Sequence, residues 1–225
     1  MCGRFHLLKD HKSEELAREL GIDAQLMRYS PDIAPGAPIS IIHNQAGSRR
    51  VNTAIWWLKL DAKTLKPDRN WRSYNSNWKK LHVKGSLAYT PYRQSRCLIP
   101  ASAFYEGLGG TSKVYHQIEL EGQAIVFGGL YNEYNVEEQG YGIYSASIIT
   151  LAGLPDWESI HRTSMPLMLP ANDKALINQW LDPSTNIEQF APYLTPAIRQ
   201  TQKITPIGKP SLWNKIGHSF LLEAS

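Results

Sequence analysis

The sequence predicts an α+β fold: one domain over residues 1–225, with a curved antiparallel β-sheet or barrel-like core and a few short helices. Three observations predict it. Short β-rich runs recur along the whole chain, separated by Gly, Pro, Asn and Asp clusters. Apolar residues at helical spacing occur in only three stretches, each short. No Ser/Gly run, low-complexity tract or fixed-period repeat marks a linker, and 225 residues suffice for one large core.

In chain order, residues 2–8 read as a first strand. Ser13-Glu14-Glu15 opens a helix, with acidic residues where the helix dipole favours them. Leu16 and Leu20 share its face, and Gly21 ends it. Pro31, Pro35 and Pro38 predict a rigid irregular loop over residues 30–38. Residues 39–43 and 51–58 are strands around a turn at 44–48, and 61–71 is a basic loop. Residues 97–100 and 103–106 are strands, with a flexible turn at Gly107-Leu108-Gly109-Gly110. Residues 114–120 alternate as a half-buried strand. Residues 124–130 and 141–150 are β-rich and joined by an acidic hairpin near Glu137-Glu138, and 165–169 is a buried strand. Asn172 caps a helix carrying Ala175, Leu176 and Trp180, which ends at Asp182-Pro183. Ile187, Phe190 and Leu194 add a further helical turn or two, and residues 203–207 and 218–222 are closing strands.

Composition excludes several classes. No apolar run approaches the length of a membrane span, and the start lacks the pattern of a signal peptide. The two cysteines, Cys2 and Cys97, make neither a disulfide framework nor a metal motif. A reducing, cytoplasmic compartment and a monomer without metal or cofactor are expected. There is no Walker loop, G-x-S-x-G, zinc motif or dinucleotide fingerprint.

The net charge of +4 is unevenly placed. Residues 49–96 hold twelve Lys and Arg against two Asp, and four of the seven Trp: Trp56, Trp57, Trp71 and Trp78. Cations interleaved with aromatic rings suit single-stranded nucleic acid, where cations track phosphates and rings stack on bases. A solvated basic loop beside core tryptophans is the plainer alternative.

Cys2 carries the most specific chemistry. Removal of Met1 makes it a 1,2-aminothiol, whose amine condenses with an aldehyde and whose thiol then closes a thiazolidine ring. An α-amino group titrates near 7.7–8.0, against about 10.4 for Lys, so much of it is neutral near pH 7. The alternative for Cys2 is a small hydrophobe on the first strand.

Four features stand out: the opening Met1-Cys2-Gly3-Arg4-Phe5, the run Tyr74-Asn75-Ser76-Asn77, the run from Pro100 to Phe104-Tyr105-Glu106, and Ile160-His161 before Met165-Pro166. Together with Asp32-Ile33-Ala34-Pro35-Gly36, Arg96-Cys97-Leu98-Ile99-Pro100-Ala101, Gly128-Gly129-Leu130-Tyr131 and Ile148-Ile149-Thr150, they resemble the SRAP family, the SOS-response-associated peptidase proteins. Their order and approximate spacing hold across nearly the whole chain. The resemblance implies binding of single-stranded DNA, and capture of the ring-opened abasic-site aldehyde on Cys2 as a thiazolidine crosslink that shields the lesion. It also implies autoproteolytic removal of the residue before Cys2, possible lyase activity, and association with the nucleoid when bound to DNA.

On that resemblance Cys2, Asn75, Glu106 and His161 are the catalytic set. Glu106 suits proton transfer if burial raises it toward neutrality. Asn75 can hydrogen-bond the sugar hydroxyl or the Cys2 amine without titrating. His161 titrates in the right range for delivering a proton when the adduct reverses. Arg4, Trp71, Arg72, Asn77, Trp78 and Thr150 are the expected DNA contacts. Each has a structural alternative: a strand-end carboxylate for Glu106, a turn residue for Asn75, a structural ring for His161, a merely exposed guanidinium for Arg4.

The chain departs from the family's pattern at Asn77 and Ser164, where the family has Arg, and at Gly107, where it has Trp. The residues for the aldehyde chemistry are kept while DNA contacts are altered. Two other readings compete: an N-terminal-cysteine hydrolase or peptidase, and a non-catalytic single-strand-binding domain.

Overall fold

The computed structural model describes residues 3–108, 114–136, 141–209 and 214–224. Cys2, the Gly109-Gly110 part of the expected turn and the Glu137-Glu138 hairpin tip lie outside the described residues. Among those described, β1 (Phe5–Leu7), α1 (His11–Glu19), β2 (Ser30–Ile33), β3 (Pro38–Gln45) and β4 (Ser48–Trp56) come first. β5 (Asn75–Asn77), α2 (Tyr89–Gln94), β6 (Arg96–Ala101), β7 (Ala103–Gly107) and β8 (Tyr115–Leu120) follow. β9 (Ile125–Val136), β10 (Tyr141–Ala152), β11 (Ser164–Pro166), α3 (Lys174–Leu181), α4 (Ala191–Leu194), β12 (Gln202–Ile207) and β13 (Phe220–Leu222) complete the order.

These strands make an α+β fold of two sheets. In one, β10-β4-β3-β6-β9 closes on itself through the β9–β10 pairing, giving a five-stranded barrel. Closure removes the open edges that invite wrong pairing. The sheet is mixed: β10 runs parallel to β4 at residues 144–146, then parallel to β5 at residues 148–150, and takes β11 antiparallel at its far end. The other sheet is open and antiparallel, in the order β13-β12-β8-β7-β1-β2. The core fills the space between them. Phe5 of the open sheet packs edge-on against Trp56 and Phe127 of the barrel, at 4.8 and 6.0 Å between ring centroids, and Phe104 lies 5.5 Å from Phe127. Among the described residues no helix is long and apolar enough to cross a membrane.

Local chemistry explains where elements begin and end. α1 starts before Ser13: Asp10 accepts from the Ser13 backbone N–H, and the Ser13 hydroxyl reciprocates as the third residue of a capping box. Residues 30–38 are not all loop. β2 forms despite Pro31 because it is the outermost strand, where a missing N–H need cost no ladder bond. The β3–β4 hairpin turns on Ala46-Gly47, both at positive φ (50° and 76°), the two-residue turn whose twist matches the strands it joins. α2 has no apolar periodicity to betray it; Pro91 sits in its first turn, where no intrahelical N–H is needed. α3 is capped by Asp173, one residue after Asn172. β11 is shorter than expected, three residues, with Leu167 and Leu169 continuing as single contacts to Ile149 and Val126.

Arg96 counts toward the basic stretch by sequence, yet it is buried. Its guanidinium donates to the carbonyls of Tyr92, Arg93, Trp180 and Asp182, tying α2 and α3 to β6. A buried cation with its donors satisfied is a structural clamp, not a phosphate contact. Cys97 is buried as well, and burial pushes its thiol far above the usual range, so it is not a nucleophile.

Candidate active site and DNA groove

On the inward face of the open sheet, side chains come in cross-strand rows. One row is apolar: Phe5, Phe104, Ile118 and Ile204 stand opposite one another on β1, β7, β8 and β12. The next row out changes character, because Glu106 faces His116 across β7–β8, with Pro206 beyond on β12. On the other side the Tyr105 N–H donates to the Arg4 carbonyl at 3.0 Å, so the same register carries Gly3 alongside Glu106. The start of β1 thus enters at a carboxyl group.

Glu106 is 3 % exposed, and burial raises its pKa from 4.5 to about 7. His161 Nδ1 lies 3.7 Å from its Oε2. A one-turn 3₁₀ helix at Pro155–Trp157 sets this approach, since the His161 N–H donates to the Trp157 carbonyl at 2.8 Å. Trp157 is fully buried, stacked on Phe104 at 5.9 Å, with its indole N–H donating to Gln202. Phe104 is two residues from Glu106, so one aromatic stack docks the histidine beside the carboxyl. Gly153 lets the chain return closely: a Cβ there would come within 2.2 Å of the Arg162 carbonyl oxygen. The His161 Nδ1–H donates to the Gly107 carbonyl at 2.8 Å, which leaves Nε2 to accept from the Thr163 hydroxyl at 3.1 Å. Burial holds the imidazole below its ordinary value of 6.5.

A carboxyl titrating near 7 both gives and takes a proton at neutral pH, which is what general acid–base chemistry needs. Among the described residues no group of three or more His, Cys, Asp or Glu is placed to hold a metal ion.

The other expected residues divide. Asn75, on β5 of the barrel sheet, lines an open groove of about 320 Å³ with Trp71, Arg72, Asn77 and Lys80. Trp71 is 53 % exposed there. The side-chain oxygen of Asn77 is engaged in capping the turn Trp78–Lys80, accepting from the Lys79 N–H at 2.9 Å. That turn sends Trp78 away: it packs partly on the core and lines a separate pocket with His82 and Leu194. Thr150 is opposite Asn77 on β10 but is buried, and its hydroxyl has no hydrogen-bond partner among the described residues. Ser164 is also buried with its hydroxyl unpartnered among them. Arg4 is engaged by Asp32 in a two-pronged ion pair at 2.6 and 2.9 Å. Sequence reasoning missed Trp157, His116, this Asp32 partner and Tyr115, whose ring is 3.1 Å from where a Cβ on Gly107 would stand. An aromatic ring therefore covers Gly107 from the neighbouring strand. The only signal in the sequence was the alternation of residues 114–120, which puts His116 on the buried face.

Comparison with known proteins gives a consistent result. A family model, SOS response associated peptidase (SRAP), matches residues 1–210. Abasic site processing protein YoqW of Bacillus subtilis (strain 168) is 30% identical over 195 residues, covering 81% of each chain. Abasic site processing protein YoaM of the same organism is 30% identical over 202 residues, covering 84% of this chain and 83% of its own. A crystal structure of a Bacteroides thetaiotaomicron protein superposes with a TM-score of 0.71 at 18% identity, covering 94% of this chain and 95% of that one. One from Bordetella bronchiseptica gives 0.64 at 18% identity, covering 87% and 94%. At those identities the two structures establish the fold.

Proposed function

The chain belongs to the SOS response associated peptidase family, and from that premise we propose that it processes abasic sites in DNA, capturing the ring-opened sugar aldehyde on Cys2. The observation that carries this reading is Glu106: a buried carboxyl, raised to about 7, at the end of β7 that Gly3 accompanies. Cys2 is one peptide bond from Gly3, and successive Cα atoms are about 3.8 Å apart. Once Met1 is gone, the Cys2 amine adds to the aldehyde carbon to give a carbinolamine. The Glu106 carboxyl protonates the departing hydroxyl, which leaves as water. The thiol then closes onto the imine carbon and loses its proton, completing a thiazolidine. The names of the curated relatives support abasic-site processing.

Single-stranded DNA is the proposed substrate, with Trp71, Arg72 and Lys80 of the groove as stacking and phosphate contacts and Asn75 at the groove wall. Arg4 reaches a phosphate only in competition with, or alongside, Asp32. His161 is assigned to reversal of the adduct, delivering a proton to the ring. Its ordinary value is lowered by burial, so release should quicken as pH falls below about 6.5.

The test is an intact-mass measurement of the protein with a single-stranded oligonucleotide carrying one abasic site. The expected product has the summed mass of the Met1-free protein and DNA less one water. Cys2→Ala should give no heat-stable adduct. An adduct that survives in Cys2→Ala would make a lysine the nucleophile and sink the reading. Turnover of an acyl substrate without adduct would instead identify a hydrolase.

A further inference from the structure

We propose that Asp32 is a specificity-determining residue. Its carboxylate holds the Arg4 guanidinium as a DNA phosphate would, which weakens the grip on undamaged strands and leaves abasic strands to be secured by the covalent step. The proposal rests on the reading of the site given above. Arg4 Nε donates to Asp32 Oδ1 at 2.6 Å and Nη2 to Oδ2 at 2.9 Å. That fork is the geometry in which a guanidinium also takes a phosphate. The backbone sets it up. Phe5 of β1 stands opposite Ile33 of β2, both buried in the core, and the residue before each, Arg4 and Asp32, turns to the other face. Asp32 is fixed from its own side, because the Ser30 hydroxyl donates to its carbonyl at 2.9 Å and Pro31 between them locks φ. The pair stays within reach of a ligand, with side chains 32 % and 43 % exposed. The next carboxylate on that face, Glu119 of β8, is joined to Lys203 at 3.6 Å.

Arg4 adjoins Gly3, which runs alongside Glu106. A strand whose sugar reaches Glu106 therefore brings its backbone to the start of β1. Phosphates carry no sequence or damage information, so a contact to Arg4 favours intact and abasic strands alike. Asp32 must be displaced, or must share Arg4, for either strand to make that contact. An exposed ion pair contributes little to stability, so a phosphate displaces it at a modest loss of affinity. At an abasic site the bond to the aldehyde carbon outweighs that loss. On an undamaged strand nothing does.

The experiment titrates an undamaged single-stranded oligonucleotide by fluorescence across a range of salt, with the wild type, Asp32→Asn, Arg4→Ala and the double variant. Asn keeps the size of the side chain and removes its charge. Asp32→Asn should bind about two- to fivefold more tightly. Its plot of log K against log salt should be steeper by up to about 0.7, the value of one phosphate contact. The gain should vanish when Arg4 is Ala. In a mixture of abasic strand and excess undamaged strand, Asp32→Asn should form adduct more slowly than the wild type, though at least as fast on abasic strand alone. Unchanged affinity and slope overturn the proposal. A gain that persists in the Arg4→Ala background also overturns it, because Asp32 then repels the strand without acting through Arg4. Failure of the wild type to form a Cys2-dependent adduct overturns the reading of the site itself, and this proposal with it.

Discussion

Glu106 and Trp71 mark two regions built in contrasting ways. Glu106 sits in a row continuous with the core, next to an imidazole whose two nitrogens are both held. Trp71 stands half in solvent on a connecting segment, beside exposed Arg72 and Lys80. Proton transfer near neutral pH is served by a carboxyl removed from water and fixed in place, because burial lifts Glu106 toward neutrality. Holding a flexible strand of any sequence needs reachable cations and ring faces. The difference teaches that in this fold the reactive end and the binding groove answer to different forces. Each can then be damaged separately.

The largest expected effect tests the buried side. Glu106→Gln keeps shape and removes the transferable proton, so adduct formation should slow by about 10²–10⁴-fold while undamaged single strands bind as before. Equal loss of rate and affinity would erase the distinction between the regions. Next is Trp157→Ala, which opens a cavity under the His161 turn. It should cost about 3–5 kcal/mol in denaturant unfolding, and release of preformed adduct should slow.

The third is a pH effect with a definite sign. Folded Glu106 titrates near 7 against an ordinary 4.5, so the folded chain keeps a proton that the unfolded chain gives up between those values. Its contribution to stability is fully present below about pH 4.5 and is lost as pH rises through about 7. At about 1.36 kcal/mol per pH unit, this is on the order of 3 kcal/mol. Glu106→Gln should therefore be close to wild type in stability at pH 4 and the more stable of the two at pH 8. Parallel stability curves for the two proteins would show that Glu106 is not desolvated.

The smallest effect tests the exposed side. Trp71→Ala should weaken binding of undamaged single-stranded DNA by about 1–3 kcal/mol if one base stacks there. Trp78→Ala should weaken it far less, since its ring lines the pocket beside Leu194. Equal losses in a fluorescence titration would mean that composition, not placement, governs the groove.

Much of the buried region was legible in the sequence. Alternation over residues 114–120 located β8, residues 103–106 read as the short strand β7, and ordered motifs singled out Glu106 and His161. What joins those two was not legible. Trp157 lies between turns with no periodicity around it, and its stacking on Phe104 links residues 53 positions apart. On the exposed side composition misled. Trp71, Trp78 and Arg96 look alike in a basic, aromatic stretch. Only the 3₁₀ turn capped by Asn77 and the carbonyls around Arg96 separate the groove residue from the two turned inward. β2 was hidden because proline reads as loop unless the strand is known to lie at an edge.

The change of partner along β10 has a consequence for motion. Up to Ala146 this strand is locked into the closed barrel; from Ile148 it holds β5, three residues long, reinforced by a hydroxyl bond of 2.7 Å between Ser76 and Ser147. So few ladder contacts should open far more often than the whole molecule unfolds. Amide hydrogens of residues 75–77 should then exchange with solvent well before those of residues 144–146. The groove wall that carries Asn75 can breathe while the barrel behind it stays shut.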